Sequence, residues 1–207
     1  MLMSNVDKNE LIFYALEKLK VGDTQPFISL EPTGWLYDGS FRGQSFRGAS
    51  LNVFMLRGKL DLGGCDLSNT TAYEVNILNS NFEDCCFDKA TIEGAYLLDC
   101  IFLGASFNES TIESTLFSGD MRDTTWNNAH LDSVSFSGAL KNKAHFERAS
   151  FQNVVLKDVF FSDLNLRGAN FTGTDLTQVT FERVVFDTTT ILPDGSYWYP
   201  GAIQIVE

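Results

Sequence analysis

Residues 80–109 read SNFED CCFDK ATIEG AYLLD CIFLG ASFNE, six consecutive blocks of five in which the first residue is small and the third is large and apolar. A period of five matches neither the 3.6 residues of an α-helix nor the two of a flat strand. If the third residue of every block points inward, the chain must turn a corner once per block. The rhythm extends from this stretch in both directions. Large centres stand at Phe41, Phe46, Leu51 and Leu56, resume after one extra residue from Leu62 to Phe117, and continue after one dropped residue from Met121 to Ile191. Of 31 centres, fourteen are Phe, nine Leu and four Ile, with Ala72, Met121, Trp126 and Lys141 as the exceptions. Two residues before the centre the side chain is Ala, Gly, Ser, Thr, Cys or Val in 27 of the 31 blocks, the misfits being Gln44, Phe54, Leu60 and Leu164. One large and one small inward side chain per block fill a narrow lumen without overpacking it. The repeat thereby explains why the chain carries 18 Phe in 207 residues.

Ala49-Ser50-Leu51, Cys65-Asp66-Leu67, Ala105-Ser106-Phe107 and Ala169-Asn170-Phe171 resemble the Ala-Asp/Asn-Leu-x-x unit of the pentapeptide-repeat family. The resemblance covers roughly three quarters of the chain. It implies an all-β fold, a right-handed quadrilateral β-helix in which one block makes one side and four make a turn. The 31 centres then predict about eight coils, and stacking at about 4.8 Å gives a rod roughly 37 Å long. Each buried large centre contributes about 1.5–3 kcal/mol.

A solenoid exposes backbone edges and apolar lumen at both ends, so both need caps. Residues 1–38 are expected to form the N-terminal cap, with a helix at 8–20 that starts at an Asp7 N-cap, ends near Gly22 and carries the apolar stripe Leu11, Ile12, Ala15, Leu16 and Leu19. The solenoid is assigned to 39–192. Residues 193–207 form the C-terminal cap, where Pro193-Asp194-Gly195-Ser196 is turn chemistry leading to Tyr197, Trp198 and Tyr199, which are expected to cover the last coil. The run from Thr190 to Ser196 also resembles the close of many bacterial, especially cyanobacterial, members of the family, and dimerisation through a terminal cap is left open.

The formal charge is −12, from 15 Lys plus Arg against 27 Asp plus Glu. Such a chain repels phosphate backbones and anionic lipid, so no direct nucleic-acid or membrane partner is expected. No segment approaches the ~20 apolar residues that span a bilayer, no secretory leader is evident, and the expected compartment is the cytoplasm.

Little is left for chemistry. Cys65, Cys85 and Cys100 occupy the small inward position, where a thiol packs as a small hydrophobe, and Cys86 faces outward. Cys65 and Cys85 lie one coil apart, but a disulfide is not expected in a reducing compartment. The cysteines match no zinc signature. His130 and His145 each precede a centre, with no nucleophile motif around them, and Gly43, Gly48, Gly58 and Gly63 follow the repeat rather than a phosphate loop. Neither a catalytic site nor a cofactor is expected.

The surface is more informative. Residues 61–123 hold twelve acidic side chains against Lys89 and Arg122, a net of −10, whereas 38–60 is +3 and 124–187 is −1. A twenty-residue coil puts Glu93, Glu113 and Asp132 in one outward column, beside Thr71, Thr91 and Thr111, and Asp61, Glu83, Asp84, Asp120 and Asp123 on another face. Exposed like charges at this spacing repel by about 1 kcal/mol per neighbour, which a partner would relieve. Tyr96, Ile101, Leu116, Leu140, Val155 and Phe160 point outward, Tyr96 beside Leu116 and Leu140 beside Phe160. Lys141 holds a centre position where an unpaired ammonium is costly, so a bulge is expected around 139–143. The expected function is a non-enzymatic scaffold that binds another protein. The alternative comes from the resemblance, because its quinolone-resistance members are acidic rods taken to mimic duplex DNA and occupy the DNA-binding saddle of DNA gyrase. Many of those carry loops projecting from the coils, whereas here the count departs from five only by single residues near 57–61 and 118–120.

Overall fold

The fifth residue of most blocks makes a left-handed corner. In the computed structural model, which describes residues 7–30, 41–51, 55–56, 59–138 and 144–206, sixteen non-glycine residues have positive φ, among them Asn69 at 57°, Asp84 at 54°, Lys89 at 60° and Glu109 at 58°. Nine of the sixteen are Asn or Asp, the side chains that tolerate the left-handed region best. Such a conformation persists only where the surroundings enforce it. Here the N–H of the corner residue donates to a carbonyl one turn on, as from Glu74 to Glu93 and from Asp84 to Leu103, both at 2.9 Å.

Between corners, the described residues form fourteen short strands: β1 Met55–Leu56, β2 Thr71–Tyr73, β3 Asn76–Leu78, β4 Thr91–Glu93, β5 Tyr96–Ile101, β6 Thr111–Glu113, β7 Leu116–Asp120, β8 His130–Asp132, β9 Ser135–Ser137, β10 Ala144–His145, β11 Val155–Lys157, β12 Val159–Ser162, β13 Leu164–Asn165 and β14 Val179–Glu182. All pair in parallel with strands of neighbouring turns. One side of the right-handed solenoid is the sheet β2-β4-β6-β8-β11, and the next side is β1-β3-β5-β7-β9-β12-β14. The first of these is five turns deep, fewer than the eight or so coils expected. Beyond it the stack is carried by single bridges, which on another side link Ser45, Asp66, Cys86, Ser106, Thr125, Ser150, Asn170 and Ile191.

The register shows where the count slips. Met55 pairs with Asn76, twenty-one residues on, so the extra residue near 57–61 is real. Leu116 pairs with Ser135, nineteen on, which accounts for the residue dropped near 118–120. The expectation of single-residue deviations fails further along. His130 pairs with Val155, Asp120 with His145 and Ser135 with Phe160, each twenty-five on. The five residues in excess of one turn equal the block 139–143. Lys141 and the expected bulge lie outside the described residues. A second extra residue follows Phe186, since Asn170 pairs with Ile191. The last centre is therefore Leu192, which is buried, with Thr190 in the small position, rather than Ile191.

Inside, the centres stack on their counterparts one turn away. Phe87, Phe107 and Trp126 stack at 4.6 and 4.0 Å between ring centroids, and Phe117, Phe136, Phe161 and Phe181 at 5.1 to 5.4 Å. Rings from adjoining sides meet edge to face, as Phe107 does with Phe117 at 6.0 Å. Polar residues in the small slots satisfy themselves on backbone carbonyls: the hydroxyls of Thr70, Ser110 and Thr124 donate to Leu67, Phe107 and Met121, and Trp126 Nε1 donates to Thr124 Oγ1 at 2.9 Å. Leu60 and Leu164, misfits by size, are buried in the same slots. A cavity of about 40 Å³ interrupts the packing near Ala72, and its lining is apolar.

Helix α1, Lys8–Leu19, begins where the Asp7 carboxylate accepts the Asn9 N–H, and it buries Ile12, Ala15, Leu16 and Leu19. A second helix, α2 (Gln25–Ile28), carries no apolar periodicity long enough to be foreseen. Its Phe27 packs edge to face on Phe41 and Phe46, closing the first coil. At the other end only Trp198 of the three aromatics covers the lumen, 6.0 Å from Phe186, while Tyr197 and Tyr199 are exposed. The tail completes the cap by pairing Val206 with Glu182.

The dropped residue gives a test. Gly119 has φ of 127°, and a Cβ there would lie 1.9 Å from the Cys100 carbonyl oxygen. Gly119→Ala is expected to lower the unfolding free energy by about 3 kcal/mol in a denaturant titration; an unchanged midpoint would contradict this close approach of turns.

Candidate interaction surface

Register sorts the outward side chains into columns with about 4.8 Å between neighbours. On the side built from β2, β4, β6, β8 and β11, Thr71, Thr91, Thr111, His130 and Val155 form one column. Tyr73, Glu93, Glu113, Asp132 and Lys157 form the other. Glu93, Glu113 and Asp132 thus share a column, as the period predicts, but the three are not equivalent. Lys157 Nζ lies 2.5 Å from Asp132 Oδ2, and with the Ser133 hydroxyl it holds the Asp132 carboxyl below its usual range. Glu93 and Glu113 are exposed and make no ion pair among the described residues.

The second acidic group is largely compensated. Asp61 and Asp120 occupy one column with Asn81 and Ile101 between them, and Asp84 and Asp123 are corner residues. Arg42 Nη1 donates to Asp61 at 2.6 Å, with its other terminal nitrogen 3.8 Å from Glu83. Arg122 grips its own neighbour Asp120 through both carboxylate oxygens, at 2.9 and 2.6 Å. Burial alone would push the Asp120 carboxyl up, but the Arg122 hydrogen bonds outweigh it and the group stays below its usual range. Arg148 makes two bonds of 2.6 Å to Asp123. Of the five, Asp84 alone has no cation beside it among the described residues. Coil spacing would have found Arg42 beside Asp61, nineteen residues apart. Arg148 beside Asp123 spans twenty-five, and only the slip in register brings them together.

Among apolar residues, Tyr96 pairs with Leu116 as expected. Phe160 pairs with Ser135 rather than Leu140, because the extra block shifts the register by five, and Leu140 itself lies outside the described residues. Tyr96, Ile101, Val155 and Phe160 are each about half exposed.

The remaining candidates for chemistry are dispersed. Cys65 and Cys85 are free thiols that donate to the carbonyls of Phe41 and Leu62 at 2.9 and 3.0 Å, and Cys100 lies 3.4 Å from the Leu98 carbonyl. Burial pushes the Cys65 thiol up to about 11 and those of Cys85 and Cys100 up to about 12. His130 stands on β8 and His145 on β10, on different sides. His145 Nδ1 is 3.2 Å from Glu147 Oε1, which also accepts from Asn165 at 2.6 Å. Among the described residues no three His, Cys, Asp or Glu side chains converge to hold a metal ion, and no helix is long and apolar enough to cross a membrane.

A family model described as pentapeptide repeats matches residues 144–183, in eight copies. Residues 144–183 therefore carry the pentapeptide repeat that the sequence resembles, and the same five-residue rhythm runs along the described sides from Phe41 onward. No match to a curated protein was found. Solved structures similar to it include a trypsin-treated variant of QnrB1, a plasmid-mediated fluoroquinolone resistance protein, at 20% identity over 72% of this chain and 70% of that one, with a TM-score of 0.40. Another is HetL, a pentapeptide repeat protein involved in heterocyst differentiation regulation from the cyanobacterium Nostoc, at 17% identity over 84% and 98% of the chains and a TM-score of 0.27. A third is a pentapeptide repeat protein of the Arabidopsis thaliana thylakoid lumen, at 21% identity over 58% and 73% of the chains, with a TM-score of 0.27.

The thiols report on the packed interior. In the native protein at pH 8 one thiol of four, the partly exposed Cys86, is expected to react with a chromogenic disulfide, and all four after denaturation. The unfolded chain ionises these thiols from about pH 9, whereas the folded chain keeps the inner three neutral to about 11 or 12. Stability that is fully present below pH 9 is therefore lost as pH rises from 9 towards 12, a decline that a series of melts should record. Rapid native reaction of three or four thiols would contradict the packed lumen.

Proposed function

We propose that the chain is a non-enzymatic scaffold that binds another protein through the outer faces of its solenoid. The observation that carries this reading is the division between inside and outside. The lumen is filled by stacked rings and aliphatic side chains, and the apolar cavity near Ala72, about 40 Å³, is too small for a substrate. The inner thiols are held neutral, and the two histidines stand on different sides. Outside, a rigid frame repeats chosen side chains once per turn, a surface suited to recognition rather than to chemistry.

A second reading, an acidic mimic of duplex DNA that occupies gyrase or another DNA-binding enzyme, has the Glu93–Glu113 repeat in its favour. Against it, Arg42, Arg122 and Arg148 compensate Asp61, Asp120 and Asp123, so the acidic face offers far fewer free charges than its composition suggests.

Two measurements separate these readings. Micromolar protein is expected to leave gyrase supercoiling and its quinolone poisoning unchanged, and inhibition or protection would favour the mimic. An affinity capture from the source cell is expected to retain a protein partner that is lost when Glu93, Glu113 and Asp132 are all changed to Lys. Capture of no protein at all would overturn the scaffold.

A further inference from the structure

One corner of the solenoid combines features found nowhere else among the described residues. It lies between the side carrying β4 and β6 and the side carrying β3, β5 and β7. On the latter, Tyr96 pairs with Leu116 and Leu78 with Leu98, so four apolar side chains stand as a block on neighbouring turns. Tyr96 is 53% and Leu78 41% exposed, and no element of the described chain covers them. A contiguous apolar patch on a rigid sheet marks an interface more strongly than the scattered single residues elsewhere on the surface.

Carboxylates border this block on both sides. Across the corner stand Glu93 and Glu113, paired in register on β4 and β6. Beyond the far edge stands Asp99, a left-handed corner residue that is also exposed. None of the three has a cationic partner among the described residues. That contrasts with Asp61, Asp120, Asp123, Asp132 and Asp163, each of which is met by an arginine or lysine. The ridge between Glu93 and Tyr96, and between Glu113 and Leu116, is made by Gly94 and Ser114, the smallest corner residues available, so one ligand can touch both columns at once.

We infer that this corner docks a basic polypeptide segment with apolar side chains, which places Lys or Arg on Glu93 and Glu113 and seats its apolar residues on Tyr96, Leu116, Leu78 and Leu98. Charge complementarity selects the partner: phosphate backbones and anionic lipid are repelled by the same carboxylates, while an uncharged apolar surface would leave three of them desolvated and unpaired. The inference rests on the scaffold reading and adds to it a location and the chemistry of the partner.

The test uses the full chain and a displayed library of random dodecapeptides. Selected peptides are expected to carry at least two Lys or Arg among apolar residues. By fluorescence polarisation their affinity should fall at least about tenfold for Glu93→Gln with Glu113→Gln, and by a similar factor for Tyr96→Ser with Leu116→Ser. Asp175→Asn, on the last turn, should leave it unchanged, and raising salt from 50 to 300 mM should weaken binding several-fold. These side chains point outward, so the fold should survive. Melting curves check this, and Tyr96→Ser alone serves if the double variant melts early. Selection of no binder, of peptides without basic residues, or of peptides that bind both double variants as tightly as the native chain overturns the site. If the cellular partner is retained equally by both double variants, the scaffold stands and this site falls; if no protein is retained by the native chain, both fall.

Discussion

Everything in this molecule depends on a backbone turn that most residues resist. Four residues of a block lie in ordinary conformations, and in most of the described blocks the fifth takes positive φ, so that the next block sets off along a new side. A single such corner is unfavourable for Glu, Lys or Arg, yet Glu74, Lys89, Glu109, Arg148 and Arg183 all adopt it. Each is held by the turn that follows, or for Arg183 by Val206 of the tail, whose carbonyl accepts the corner N–H, and by the buried inward centre two residues earlier. The corner therefore exists because the coils stack, and the coils stack because every block turns. Repeat proteins commonly couple nearest neighbours in this way, and stability is then shared along the rod rather than located in one core.

This constraint assigns the work of each position before any function is considered. The third residue fills the lumen, the first occupies the narrow space beside it, and the fifth makes the corner. Only the second and fourth are free to vary. They project from a frame whose spacing is set by backbone pairing, which turns a linear pattern into columns. Identity at those positions can then be compared turn by turn. Thr71, Thr91 and Thr111 align beside Glu93 and Glu113, and the apolar residues at 78, 96, 98 and 116 align on the adjoining side. Arginines placed beside Asp61, Asp120 and Asp123 offset much of the charge that composition reports, leaving a smaller and more localised acidic feature than a net of −12 implies.

Much of this was legible in the chain. The period of five gave the side of the solenoid, the identities of most of the centres buried among the described residues, the inward thiols, the capping helix and the shared column of Glu93, Glu113 and Asp132. What escaped did so for physical reasons. A conformation shared by Lys89, Asp99 and Gly104 leaves no composition signal. Helix α2 is too short to carry a periodicity. The centre at Leu192 looked like Ile191 because both residues are apolar and the slip of one residue falls among three threonines. The pairing of Arg148 with Asp123, and of Phe160 with Ser135, depends on a register jump of five, which is invisible to a count that itself proceeds in fives. An inserted block keeps the pentad rhythm intact while displacing every column beyond it.

That jump decides which outward residues are neighbours, and hence what surface the second half of the rod presents. Cysteine cross-linking tests it most directly. In a Cys86→Ser background, His130→Cys with Val155→Cys should form a disulfide readily on mild oxidation, because the two positions are register partners on adjacent strands. Ser135→Cys with Val155→Cys, the partners that an uninterrupted twenty-residue coil demands, should not. Efficient cross-linking of the second pair and none of the first would contradict the register, and with it the columns on which the functional reading rests.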